Sequence, residues 1–148
     1  MEFEKGLSNW QTEVLQLVFD YMNGKEGHYY IYGSNEAGVL GFDFFMEVQG
    51  KIYTRNDIDG SVMFNDASND YEELFDKGTN MILDLKSMFE KNGNEAPTEV
   101  RMKYDSIGGD IAIKYGYARM YSDDENILVT DVFDNWVLVE KERLNNGI

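Results

Sequence analysis

The sequence predicts an α+β fold: an antiparallel sheet of about five or more strands with two main helices packed on one face. Three observations carry this expectation. Two stretches place apolar residues at helical spacing behind capping-type residues. The segments between and after them are rich in strand formers and alternate in polarity. The joins between those strands are short and contain glycine, which antiparallel pairing permits and parallel pairing does not. The chain has 148 residues, the size of one typical domain, so a single domain over 1–148 is expected.

Ser8 followed by Gln11 has the form of a capping box. Behind it Trp10, Val14, Leu17, Val18 and Tyr21 recur as one helical stripe, and Gly24 offers a stop. From His28 to about Arg55 strand formers dominate: Tyr29 to Tyr32, Val39 to Gln49, and Lys51 to Thr54. In the middle segment Phe42, Phe44 and Met46 point one way and Asp43, Phe45 and Glu47 the other, as on a sheet with one buried and one partly wet face. Asn56 to Asn69 is polar, with Val62-Met63-Phe64 as an apolar island, and reads as a loop or a loop with a short strand.

Asn69 with Glu72 forms a second capping box. Tyr71, Leu74, Phe75, Gly78, Ile82, Leu85 and Phe89 then follow helical spacing. Acidic residues in the first turn and lysines near the end suit the helix dipole. Asn92-Gly93 and Pro97 end it. Thr98 to Asp105 and Asp110 to Arg119 read as a hairpin around Ser106 to Gly109. Beyond Tyr121 two readings stand. Ile127 to Phe133 and Trp136 to Val139 form a last hairpin turning at Asp134-Asn135, or Ser122 to Glu125 cap a helix.

Composition narrows the function. Acidic residues number 28 against 13 basic ones, a formal charge of −15, which opposes phosphate backbones and excludes direct nucleic-acid binding as a first expectation. No run approaches the length of a membrane span, and the acidic start Met1 to Lys5 lacks a signal pattern, so a cytoplasmic protein with no membrane contact is expected. The absence of cysteine removes disulfides, thiolate metal sites and thiol nucleophiles.

Catalytic equipment is sparse. His28 is the single histidine, leaving a serine nucleophile one available imidazole and zinc one good ligand. Arg55-Asn56-Asp57-Ile58-Asp59-Gly60 resembles part of a calcium loop, but Arg55 stands where the first oxygen ligand is required. Gly33 to Gly38 lacks the lysine of a phosphate loop, and its Glu36 would repel a phosphate. Asp43 and Glu47 are a conceivable carboxylate pair, one of many in so acidic a chain. No enzyme activity, cofactor or metal is expected. The acidity instead suits capture of a basic partner, and the surplus of strand tyrosines suits a contact surface.

From Phe89 to Val100, Phe-Glu-Lys-Asn-Gly-Asn-Glu-Ala-Pro-Thr-Glu-Val, the chain resembles the YezG-like bacterial immunity proteins, antitoxins that neutralise secreted nuclease toxins. Tyr104-Asp105, the turn through Gly109, the strand Tyr115-Gly116-Tyr117 and the late Trp136 continue the pattern. Many members carry a tryptophan directly after the proline, where this chain has Thr98. The resemblance implies a non-enzymatic inhibitor that binds a cognate toxin, a nuclease, and blocks its active site or nucleic-acid groove. The expected contact residues are Asp57, Asp59, Asp66, Asp70, Glu72 and Glu73 for steering, with Tyr30, Tyr32, Tyr117 and Tyr121 at short range. An acidic adaptor module without a toxin partner is the alternative, followed by a carboxylate enzyme or a calcium-binding protein.

Overall fold

The computed structural model describes residues 2–58, 62–64, 67–68 and 70–146. Helix α1 (Glu2–Tyr21) leads into strands β1 (His28–Glu36), β2 (Val39–Val48) and β3 (Lys51–Thr54). A four-residue helix, α2 (Arg55–Ile58), and a 3-10 turn (Val62–Phe64) precede the long helix α3 (Tyr71–Lys91). Strands β4 (Glu99–Asp105) and β5 (Ile111–Gly116) follow, and the chain closes on helix α4 (Val129–Asn145). The five strands form one antiparallel sheet in the order β3-β2-β1-β4-β5, as the sequence predicts. No helix among the described residues is long and apolar enough to cross a membrane.

Two tight hairpins set the register of the first three strands. Glu36 pairs with Val39 across Ala37-Gly38, and Val48 with Lys51 across Gln49-Gly50. All four turn residues have positive φ, between 51° and 83°. That is the two-residue turn whose twist matches a hairpin. The register sends Tyr29, Ile31, Phe42, Phe44, Met46, Val100 and Met102 to one face, where they pack on Trp10, Val14 and Val18 of α1 and Ile82, Leu85 and Phe89 of α3. Gly78 lets α3 approach this face, since a Cβ there would overlap the Phe42 ring.

The other face differs from the expectation. Tyr30, Tyr32, Phe45 and Ile52 form a second core with Tyr121, Val132, Phe133, Trp136 and Val137. The chain therefore has three layers: α1 and α3, the sheet, then α4. The hairpin reading of the C-terminus is overturned. Asp134 and Asn135 lie inside α4 on its exposed side, while Val132, Phe133, Trp136, Val137 and Glu140 make a buried helical stripe. The helix reading holds in kind but not in place. Its start is seven residues beyond Ser122, where Asp131 Oδ2 accepts the Leu128 N–H at 2.8 Å.

The other helix starts also shift. α1 begins before Ser8, because Phe3 and Leu7 pack against the first core and Phe3 meets Phe89 edge-on at 5.2 Å. For α3 the expected cap Asn69 lies outside the described residues. Asp70 fills the role, its Oδ1 accepting the Glu73 N–H at 3.0 Å.

Candidate functional site

At one end of β2 the three layers leave a cleft of about 460 Å3 between β2, α2, α3 and α4. Gly41 and Phe42 form its floor, Tyr71 and Phe75 one wall, and Val129, Thr130, Phe133 and Asp134 the opposite wall. Gly41 is required there by packing: a Cβ would lie 2.7 Å from Val129 Cγ2. Asp43, cross-strand partner of Tyr32, projects from the second face of the sheet into this space, and Arg55 stands beside it as the first residue of α2.

The contact between the two charged groups Asp43 and Arg55 is long. Arg55 Nε lies 4.0 Å from Asp43 Oδ1, beyond hydrogen-bond reach. The guanidinium instead sits 3.5 Å above the centre of the Tyr71 ring, a cation–π contact that fixes its plane. Tyr71 Oη donates to the Phe42 carbonyl at 3.3 Å. The Phe44 N–H donates to Asp43 Oδ1 at 2.8 Å. Burial pushes the Asp43 carboxyl up to about 6, and the nearby Asp134 carboxylate adds to the rise, while the Phe44 N–H and Arg55 oppose it. Burial likewise raises the Tyr71 phenol. Asp43 thus holds a half-buried carboxyl raised well above the usual carboxylate range.

The expected steering residues fall into separate places. Asp70 and Glu73 line a groove between α1 and α3 together with Leu17, Asp20, Tyr21 and Lys77. Glu72 is exposed on the same first turn of α3. Two of these carry local duties: Asp70 caps α3, and Glu73 pairs with Lys77 at 2.7 Å. Asp57 lies elsewhere, beside Lys51, Tyr53 and Lys141. Its Oδ2 accepts the N–H and hydroxyl of Thr54 at 2.9 and 3.0 Å, closing the turn of α2. Asp59 and Asp66 lie outside the described residues.

The expectation of a tyrosine contact surface is corrected at three of its four positions. Tyr30, Tyr32 and Tyr121 are 4%, 1% and 6% exposed, because α4 and the segment before it cover the second face of the sheet. Tyr30 stacks on Phe45 at 4.5 Å and accepts a hydrogen bond from Arg143. Tyr32 packs against Phe133 and Trp136. Tyr121 shares a hydrogen bond of 2.7 Å with Ser34 and donates to the Val39 carbonyl. Tyr117 alone is open, at 46% exposed.

Asp20, Arg55, Tyr71 and Asp134 were not singled out from the sequence as site residues. The suggested pair of Asp43 with Glu47 does not form the cleft. These residues share a face two alternations apart, and the carboxylate acting on Asp43 is Asp134 from α4. No family model and no curated protein matches the chain.

Proposed function

We propose that this chain is an immunity protein: a non-catalytic inhibitor that binds a cognate toxin, a nuclease domain, in the cytoplasm of the producing cell and blocks its active site or nucleic-acid groove. The observation that carries this reading is the charge of −15 on one 148-residue domain. Much of it is displayed on the surface, at Asp20, Glu72, Glu73 and Asp76 beside the α1–α3 groove, and at Asp131 and Asp134 on α4. An anionic surface raises the rate of encounter with a basic nuclease groove and opposes the nucleic acid that the groove would otherwise hold. The resemblance between Phe89 and Tyr117 to the YezG-like immunity proteins supports the same reading.

Asp43 gives a second reading its one foothold, since a carboxyl titrating near 6 is matched to acid–base work. Its neighbour Arg55 is held against Tyr71, and Asp134 is exposed on α4, so among the described residues no second group is hydrogen-bonded to it as an acid or base partner. The inhibitor reading is therefore preferred. Co-purification of the tagged chain from its native cell tests it. Recovery of a stoichiometric basic nuclease domain is expected, and recovery of an acidic partner or of a metabolic enzyme would contradict it.

A further inference from the structure

The geometry points to the cleft between β2, α2, α3 and α4 as a socket for a guanidinium or ammonium group on an aliphatic stem, presented as an arginine or lysine side chain by the protein partner. The inference rests on the inhibitor reading for its partner, and on the cleft itself for its chemistry. Two carboxylates, Asp43 and Asp134, border a space of about 460 Å3. Among the described residues the one cation inside, Arg55, offsets only one of them: it lies 4.0 Å from Asp43 Oδ1 with its guanidinium 3.5 Å over the Tyr71 ring, which leaves the second carboxylate unbalanced. With both carboxylates ionised the cleft carries a net charge of about −1, so a single entering cation balances it.

The walls suit the rest of such a side chain. Phe42, Phe75 and Phe133 give apolar and π surface to methylene groups and to a flat guanidinium. An anion is disfavoured, because it would meet two carboxylates to reach one guanidinium. The groups facing Asp43 are Arg55 from α2, Tyr71 from α3 and Asp134 from α4. Of these, the Tyr71 phenol is raised by burial and keeps its proton between pH 5 and 8. Protonation of Asp43 is then the event that switches the socket off as pH falls.

The probe is capped arginine (N-acetyl-arginine methylamide), with capped citrulline as its uncharged isostere and agmatine as a free amine. Binding is followed by amide chemical shifts in the whole chain. Capped arginine is expected to shift Gly41, Val129 and Thr130, with citrulline at least tenfold weaker. Asp43→Asn and Asp134→Asn should each weaken arginine about tenfold. Lowering the pH from 7 to 5 should do the same, following a carboxyl near 6. Asp134 is exposed, so that variant keeps the fold if the buried one does not. Equal binding of citrulline, or unchanged binding by both variants, would overturn the socket. Agmatine binding tenfold tighter than capped arginine would overturn the side-chain source. A toxin captured equally by wild type and by the double variant would also overturn the socket while leaving the inhibitor reading intact. Arginine binding in a chain that captures no toxin would support the socket and count against that reading.

Discussion

Glu36 and Tyr121, 85 positions apart in sequence, are joined through the Tyr121 N–H, which donates to Glu36 Oε1 at 3.1 Å. The N–H groups of Met120 and Ser122 donate to the same carboxylate at 2.8 and 2.7 Å. Glu36 is 2% exposed and sits at the end of β1, so one buried carboxylate ties the segment leading to α4 onto the first hairpin. Burial alone would raise this carboxyl, but the donors of residues 120 to 122 hold it below its usual range.

Replacing Glu36 with alanine would strand three backbone donors and release the segment that covers the second core. The expected loss is about 2–3 kcal/mol of stability, read by urea denaturation at pH 7. Because the folded carboxyl lies below its unfolded value, its contribution is present above the unfolded pKa and disappears as pH falls through the folded one. The gap between wild type and Glu36→Gln should therefore close in acid. A gap that persists unchanged at pH 2 would refute the electrostatic part.

Asp43 behaves in the opposite sense. Its folded carboxyl titrates near 6, above the ordinary 3.8. It stays neutral between those values while the unfolded chain ionises, and stability is lost as pH rises through 6. Asp43→Asn keeps the acceptor for the Phe44 N–H and should stabilise the chain by about 1–3 kcal/mol at pH 7.5, with little effect at pH 3.5. Thermal unfolding at the two pH values measures this directly.

Gly78→Ala tests the packing of α3. Alanine favours a helix by about 1 kcal/mol over glycine, yet its Cβ would come within 2.3–2.6 Å of the Phe42 ring, which is 2% exposed. Net destabilisation of about 1–3 kcal/mol is expected. A stabilised variant would show that α3 slides freely on the sheet.

Charge reversal at Asp20 and Glu72 tests steering while sparing Asp70, which caps a helix, and Glu73, which holds Lys77; it gives up only the exposed hydrogen bond that Asp20 accepts from Gln16. The double variant should associate with its toxin about tenfold more slowly at low salt, and the difference should vanish near 1 M salt. Stopped-flow association rates at several ionic strengths would show it. A change confined to dissociation would place these residues inside the interface instead.

Where local signals agreed with tertiary packing, the fold was legible in the residues. Alternation in Phe42 to Glu47 placed both faces of β2, and the glycine-containing joins on either side marked its turns, although Gln49, read as strand, lies in the second of them. The stripe from Leu74 to Phe89 located α3. Helix α4 was ambiguous because Asp134-Asn135 imitates a hairpin turn between β-branched residues. The period that decides it, Val132, Phe133, Trp136, Val137 and Glu140, emerges only when the window extends past Asp134-Asn135. That ambiguity carried over to the tyrosines: strand residues read as half-exposed become core once a helix lies on them. The cleft was not legible at all. Its charged groups and the Tyr71 phenol come from four elements, at positions 43, 55, 71 and 134, and no local pattern brings them together.

The most direct test of the account is inhibition of the captured nuclease domain by the purified chain, titrated at near-physiological salt. The account predicts that nuclease activity falls in proportion to added chain and reaches zero at equimolar amounts, with substrate nucleic acid and chain competing for one site. A nuclease that binds the chain yet retains full activity, or a chain with no effect on any captured partner, would contradict it.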